Sequence, residues 1–167
     1  MNTQVAKYTN KVISVIMALA MVLSVMSISA FAKAPTKDGK YNVSFHLWNA
    51  EKNEASMGDG FFKHTARLNV KNGKTTMTVY ANTKAINQMF KGKKFVLDMR
   101  VSNGKGGWTK ATATGKSKNG STTALSFRLP NKKKYVACQV NPHVPQMGNT
   151  YVDARLKIDY GTVKAVK

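Results

Sequence analysis

The sequence predicts an all-β fold, an antiparallel β-sandwich of about eight strands. Three observations carry that expectation. After residue 40 apolar side chains recur with period two in eight separate runs, the pattern of strands with one buried face. No long helical pattern interrupts them. Asn72-Gly73 and Asn119-Gly120 fall between runs, where a tight turn favours residues that tolerate positive φ.

Taken in order, Tyr41–Asn49 sets Val43, Phe45 and Leu47 on one face and Ser44, His46 and Trp48 on the other. The segment Glu54–Phe62 is irregular. Gly58, Asp59 and Gly60 break any period, yet Met57, Phe61 and Phe62 are too apolar for a solvated turn. Such a cluster either caps one end of a sandwich or forms one lip of a pocket. Thr65–Lys71 turns Ala66, Leu68 and Val70 inward, and Asn72-Gly73 leads into Lys74–Asn82 with Met77, Val79 and Ala81. Ile86, Met89 and Phe90 stand at helical spacing and predict one or two helical turns within Thr83–Gly92. Lys94–Ser102 alternates Phe95, Leu97, Met99 and Val101. A Gly-rich turn then leads to a Thr-rich strand over Trp108–Lys116, followed by Thr122–Leu129, Lys134–Val140 and Tyr151–Asp159.

The N-terminus reads differently. Lys7 and Lys11 precede an apolar run from Val12 to about Ile28, and Ala30-Phe31-Ala32 follows. A basic start, an apolar middle and an Ala-x-Ala end describe a secretory signal peptide over residues 1–32. The alternative, a membrane anchor, asks for a longer apolar run. The expected organisation is a leader (1–32), a linker (33–40), one sandwich domain (41–160) and a basic tail (161–167). With neither a sorting signal nor an apolar tail, the product is expected to be released or held loosely on the wall by charge.

The net charge of +20 falls to +18 once the leader, with two lysines and no acids, is removed. Such a surface attracts polyanions: wall polymers, anionic lipid, nucleic acid or anionic groups on a ligand. Only Lys132-Lys133-Lys134 is a tight cluster. The diffuse spread also serves solubility and guards strand edges. Lysines interleaved with Trp48, Tyr80 and Trp108 resemble a base-stacking surface, but the leader argues against a dedicated nucleic-acid role.

Cys138 is the single cysteine, so no intrachain disulfide forms. Its alternating run favours a buried small apolar residue; a free thiol or a disulfide-linked dimer is the other reading. His46, His64 and His143 lie far apart in sequence, and nothing resembles a zinc or iron–sulfur ligand set. Enzyme signatures are missing: there is no Gly-x-Ser-x-Gly elbow, no His-Glu-x-x-His helix and no phosphate loop. The seven acids form no close pair in sequence, so a non-enzymatic binding protein is expected.

Ser56-Met57, then Phe61-Phe62, then Ala66-x-Leu68-x-Val70-Lys71-Asn72-Gly73-Lys74 resembles the near-iron-transporter (NEAT) domain of Gram-positive surface and secreted proteins. The resemblance spans about Asp38 to Tyr160. It implies an immunoglobulin-like sandwich with a short helical lip, haem as cofactor and a role in iron acquisition, with haem passed to a cell-wall NEAT acceptor. It assigns Ser56 to a haem propionate and Met57, Phe61 and Phe62 to the ring, with Lys52 or Lys63 available for charge pairing. In the family the last hairpin supplies a Tyr-x-x-x-Tyr pair ahead of an arginine-bearing strand. This chain has the strand, Ala154–Asp159 with Arg155, but lacks the pair. Aligned on Arg155, the tyrosine positions fall on Gly148 and Val152. Slid by one residue, they fall on Met147 and Tyr151, which requires a bulge before Val152. Met147 or Tyr151 is then the expected iron ligand, Met147 ahead of Tyr151, with His143 as another candidate. A thioether favours reduced iron. Relatives that bind host haemoproteins instead use aromatics before the lip, where this chain offers Trp48. Binding to the anionic wall is a further reading.

Overall fold

Most strands bury one face and solvate the other, so the alternation read from the sequence reappears in the strands of the computed structural model. Residues 32–144 and 149–167 are described. The expected leader up to Phe31, and Met147, lie outside them. The strands are β1 (Gly39–Asn49), β2 (Thr65–Lys71), β3 (Lys74–Tyr80), β4 (Asp98–Ser102), β5 (Trp108–Lys110), β6 (Thr112–Lys116), β7 (Thr122–Arg128), β8 (Tyr135–Asn141) and β9 (Val152–Ala165). A 3-10 turn covers Asp59–Phe61, and one helix, α1, covers Thr83–Phe90.

The sheet order is β5-β4-β8-β9-β1-β2-β3-β7-β6. All of its neighbouring pairs are antiparallel. The count is nine because the expected strand Trp108–Lys116 breaks at Ala111. Its first part pairs with β4 and its second with β7, the two far sides of the sheet. The Ala111 N–H donates to the Met99 carbonyl at 2.8 Å. One run thus serves both edges, and the sheet closes almost into a barrel. A strand that switches partners in this way is how a sandwich turns a corner.

The inner face encloses one core. Phe45, Leu47, Leu68, Met77, Leu97, Met99, Leu125, Leu156 and Ile158 are fully buried in it. The Ala32–Lys167 unit contains all of this core and forms one compact body of its own. Cys138 belongs to the core. Burial pushes its thiol well above the ordinary range, so it behaves as a small apolar residue and is out of reach of a partner's thiol.

Local signals are met in detail. Asn72 and Gly73 both take positive φ (50° and 71°) between β2 and β3, as a two-residue hairpin requires. The Asn82 side chain caps α1 by accepting from the Ala85 N–H. The helix ends at Lys91 and Gly92, both left-handed. One boundary differs from expectation. β9 runs past Tyr160 to Ala165, and Tyr41 pairs with Ala165. Most of the expected basic tail is therefore strand, because the start of β1 offers it a free edge.

Candidate functional site

The lip is built on the end of β1. The Ser56 N–H donates to the Leu47 carbonyl (2.8 Å), and the Asn49 N–H to the Glu54 carbonyl (3.0 Å). The Asn49 side chain accepts from the N–H groups of Glu51 and Lys52, closing the turn between them. Within the lip, the Asp59 N–H donates to the Ser56 carbonyl at 2.9 Å, and Ser56 Oγ accepts from the Gly58 N–H at 3.3 Å. Gly58 lies close against β1. A Cβ there would lie 3.2 Å from Leu47 Cδ2, tighter than most carbon contacts.

Between this lip and the ends of β8 and β9 lies an apolar cleft of about 330 Å³. Ser56, Met57, Gly58 and Phe61 line it from the lip, and Met89 from α1. Val140, Pro142, Val152 and Ala154 line it from the β8–β9 side, with Leu47 and Asn49 from β1. Met57 is 95% exposed, a flexible thioether held at the rim and not spent on the core. Phe61 is half-buried against Phe95 and Phe90, at ring-centroid distances of 5.5 and 6.2 Å, so the lip is braced by α1 and the approach to β4.

Three of the expected cleft residues meet here: Ser56, Met57 and Phe61. Phe62 does not. It is 1% exposed and packs edge-on against Phe45 at 6.1 Å. The 3-10 turn ends at Phe61, and Phe62 is extended and bridged to Ala81. The consecutive aromatics therefore point in different directions, one toward the cleft and one into the core.

Tyr151 is also turned away. On β9, Ala154, Leu156, Ile158 and Tyr160 face inward. Val152 shares their parity and meets the cleft, while Tyr151 has the opposite parity. Pairing of β8 with β9 runs without a shift from Tyr135↔Lys157 to Val140↔Val152, and the bulge expected before Val152 falls outside this paired stretch. The Tyr151 ring lies instead under Arg100, 4.2 Å from the guanidinium. Arg100 bonds Gln139, and Gln139 donates to Asp153 at 2.6 Å, so Tyr151 belongs to a polar ladder on the outer face. His143 is engaged as well. Its Nε2 is 3.2 Å from Asp98, which also meets Lys110 at 3.0 Å. Burial alone would raise the Asp98 carboxyl, but the hydrogen bonds from Lys110 and His143 hold it below its ordinary value.

Met89, Val140, Pro142 and Val152 are cleft residues that sequence reading did not single out. For Val152 the signal was present, since alignment on Arg155 puts it at a functional position of the hairpin. Met89 was read only as part of a helical stripe. His46 and His64, far apart in sequence, are brought by antiparallel pairing of β1 with β2 to ring centroids 4.2 Å apart.

No curated protein matches the chain. Among solved structures, the NEAT5 domain of IsdX2, a B. anthracis hemophore in complex with heme, matches with a TM-score of 0.58 at 21% identity, covering 74% of this chain and 97% of that one. A point mutant of the IsdX2 NEAT5 domain in complex with heme matches with a TM-score of 0.59 at 21% identity, covering 74% and 96%. At that identity the likeness is one of fold. The family model for NEAT, the iron transport-associated domain, matches residues 34–162, a span holding β1 to β8, the lip and most of β9, and the chain belongs to that family.

Proposed function

We propose that the chain binds haem in the cleft between the lip and the β8–β9 end, and passes it on outside the cell in iron acquisition. The observation that carries this reading is the apolar cleft itself, open at a methionine-bearing lip in a chain of the NEAT family. Its surface suits a flat apolar guest: Leu47, Phe61, Val140, Pro142, Val152 and Ala154 are all apolar. The Ser56 hydroxyl keeps its O–H donor for a carboxylate. Lys52 and Lys63 are exposed nearby in sequence and add charge pairing for propionates. The leader-like sequence ending Ala30-Phe31-Ala32 and the basic composition support release from the cell, with loose retention on anionic wall polymers.

When bound, haem supplies an iron that takes an axial ligand from the protein. Among the described lining residues there is no tyrosine, histidine or cysteine. Asp153 also lines the cleft, but its carboxylate is a hard oxygen donor already bonded by Gln139, so the set favours a thioether. Met147 is the first candidate, because the segment that carries it joins β8 to β9 between Pro142 and Val152, which both line the cleft; Met57 and Met89 are the alternatives at the rim. A thioether favours ferrous iron. Binding is then ligation plus apolar burial, with no turnover.

The test is a haemin titration of Ala32–Lys167 with and without dithionite, followed by absorption. One haem per chain with a shifted Soret band, stronger in the reduced state, is expected. Met147→Ala should lose or shift that band. No shift in either state overturns the haem reading. The alternative, capture of host haemoproteins through Trp48, has weaker support. The Trp48 ring lies 3.7 Å beneath Lys157 Nζ and 6.1 Å from Tyr135, a braced and half-buried position, not that of a projecting anchor.

A further inference from the structure

Two imidazoles and one carboxylate converge beside the lip, outside the cleft lining. His46 lies on the outer face of β1, His64 stands just before β2, and Asp59 opens the 3-10 turn. His46 Nδ1 is 3.2 Å from Asp59 Oδ2, and His64 Nε2 is 3.0 Å from the same oxygen. One ligand atom from each residue lies within 4.8 Å of the others. The other carboxylate oxygen, Oδ1, accepts from the Leu47 N–H at 2.6 Å. Asp59 is buried, while both histidine side chains are about half exposed.

From this geometry we propose that His46, Asp59 and His64 bind a divalent transition-metal ion of the zinc class. Ligands about 2.0–2.1 Å from a tetrahedral zinc ion lie about 3.3 Å from one another, close to the two nitrogen–oxygen separations here. Small side-chain rotations suffice to admit the ion. Two nitrogens and one carboxylate oxygen are a borderline donor set, suited to zinc and its neighbours and poorly suited to calcium or magnesium. The half-exposed imidazoles leave the fourth position to water. The Leu47 N–H orients the carboxylate from behind, as outer hydrogen bonds do for metal ligands. An ion pair alone needs one imidazole; here two point at one oxygen with their rings 4.2 Å apart, where two imidazolium charges would repel and a shared dication would satisfy both. The ion would staple the lip, the β1 strand and the start of β2 together. This inference does not depend on haem binding.

The experiment is Zn²⁺ titration of untagged, metal-free Ala32–Lys167, followed by calorimetry and by NMR of the imidazoles. We expect one ion per chain with saturable binding, a melting temperature that rises with Zn²⁺, and shifted resonances for His46 and His64 but not His143. Either His46→Ala or His64→Ala should weaken binding by more than the roughly 10–100-fold that loss of an outer partner costs. His46 and His64 resonances that stay in place at saturating Zn²⁺ would overturn the site without any variant being needed. So would unchanged binding by the His46→Ala/His64→Ala double variant.

Discussion

The Asp59 carboxylate accepts a hydrogen bond of 2.6 Å from the Leu47 backbone N–H, and this bond ties the lip to the strand that carries it. Leu47 also gives its carbonyl to the Ser56 N–H, so one residue of β1 anchors the lip at two points. Asp59→Ala leaves a buried donor without its charged acceptor and should cost about 1.5–3 kcal/mol. Asp59→Asn keeps an acceptor and should cost less. Urea unfolding of both variants checks the order.

Phe61 and Phe62 are adjacent but should respond differently. Phe62→Ala opens a core cavity and should destabilise the fold by about 3–5 kcal/mol. Phe61→Ala, at a half-buried site on the cleft wall, should cost less stability and more haem affinity. Thermal melts beside haemin titrations separate the two effects.

Val152 faces the cleft and Tyr151 does not. Tyr151→Phe keeps the ring on Arg100 and should leave the haem spectrum unchanged. Val152→Tyr places a phenol in the cleft and should move the preference toward ferric haem, visible as a new ferric spectrum in the absence of dithionite.

Asp98 makes acid stability testable. Its carboxyl is held below the ordinary 3.8 by Lys110 and His143 against the opposing effect of burial. The unfolded chain therefore takes up this proton first as the pH falls. The stabilisation is complete above pH 3.8 and is lost as pH falls through the lower folded value. Melting temperature should drop more steeply below about pH 4 in wild type than in Asp98→Asn.

Tyr160 gives the alkaline counterpart. Burial pushes its phenol from 10.0 up to about 12, and its hydroxyl has no hydrogen-bond partner among the described residues. The folded state therefore keeps the proton longer. Wild type should lose stability more steeply as pH rises above 10 than Tyr160→Phe, in which the buried Cys138 thiol still contributes. At neutral pH the variant should be within about 1 kcal/mol of wild type or more stable, because it removes an unsatisfied polar atom. Thermal melts across that pH range check both.

Much of the fold was legible because burial of one strand face writes a period of two directly into the chain. Val43, Phe45 and Leu47, or Leu97, Met99 and Val101, could be assigned inward without knowing their partners. The Asn72-Gly73 turn was equally local. The split at Ala111 was not, because a strand that changes partners keeps its own alternation. The extension of β9 to Ala165 was hidden for a related reason: it depends on the edge of β1 that faces away from β2.

For the site, the sequence by itself determined that an apolar, glycine-broken segment with Ser56, Met57 and Phe61 interrupts the strands, and that the tyrosine pair of the family is missing. Tertiary structure alone decided which way the neighbours face. Phe62 turns into the core because the 3-10 turn ends before it, and Val152, not Tyr151, meets the cleft because strand parity is counted from the buried residues of β9. It also brought His46 and His64 onto Asp59, since antiparallel pairing and a folded-back lip make neighbours of residues that no spacing along the chain connects.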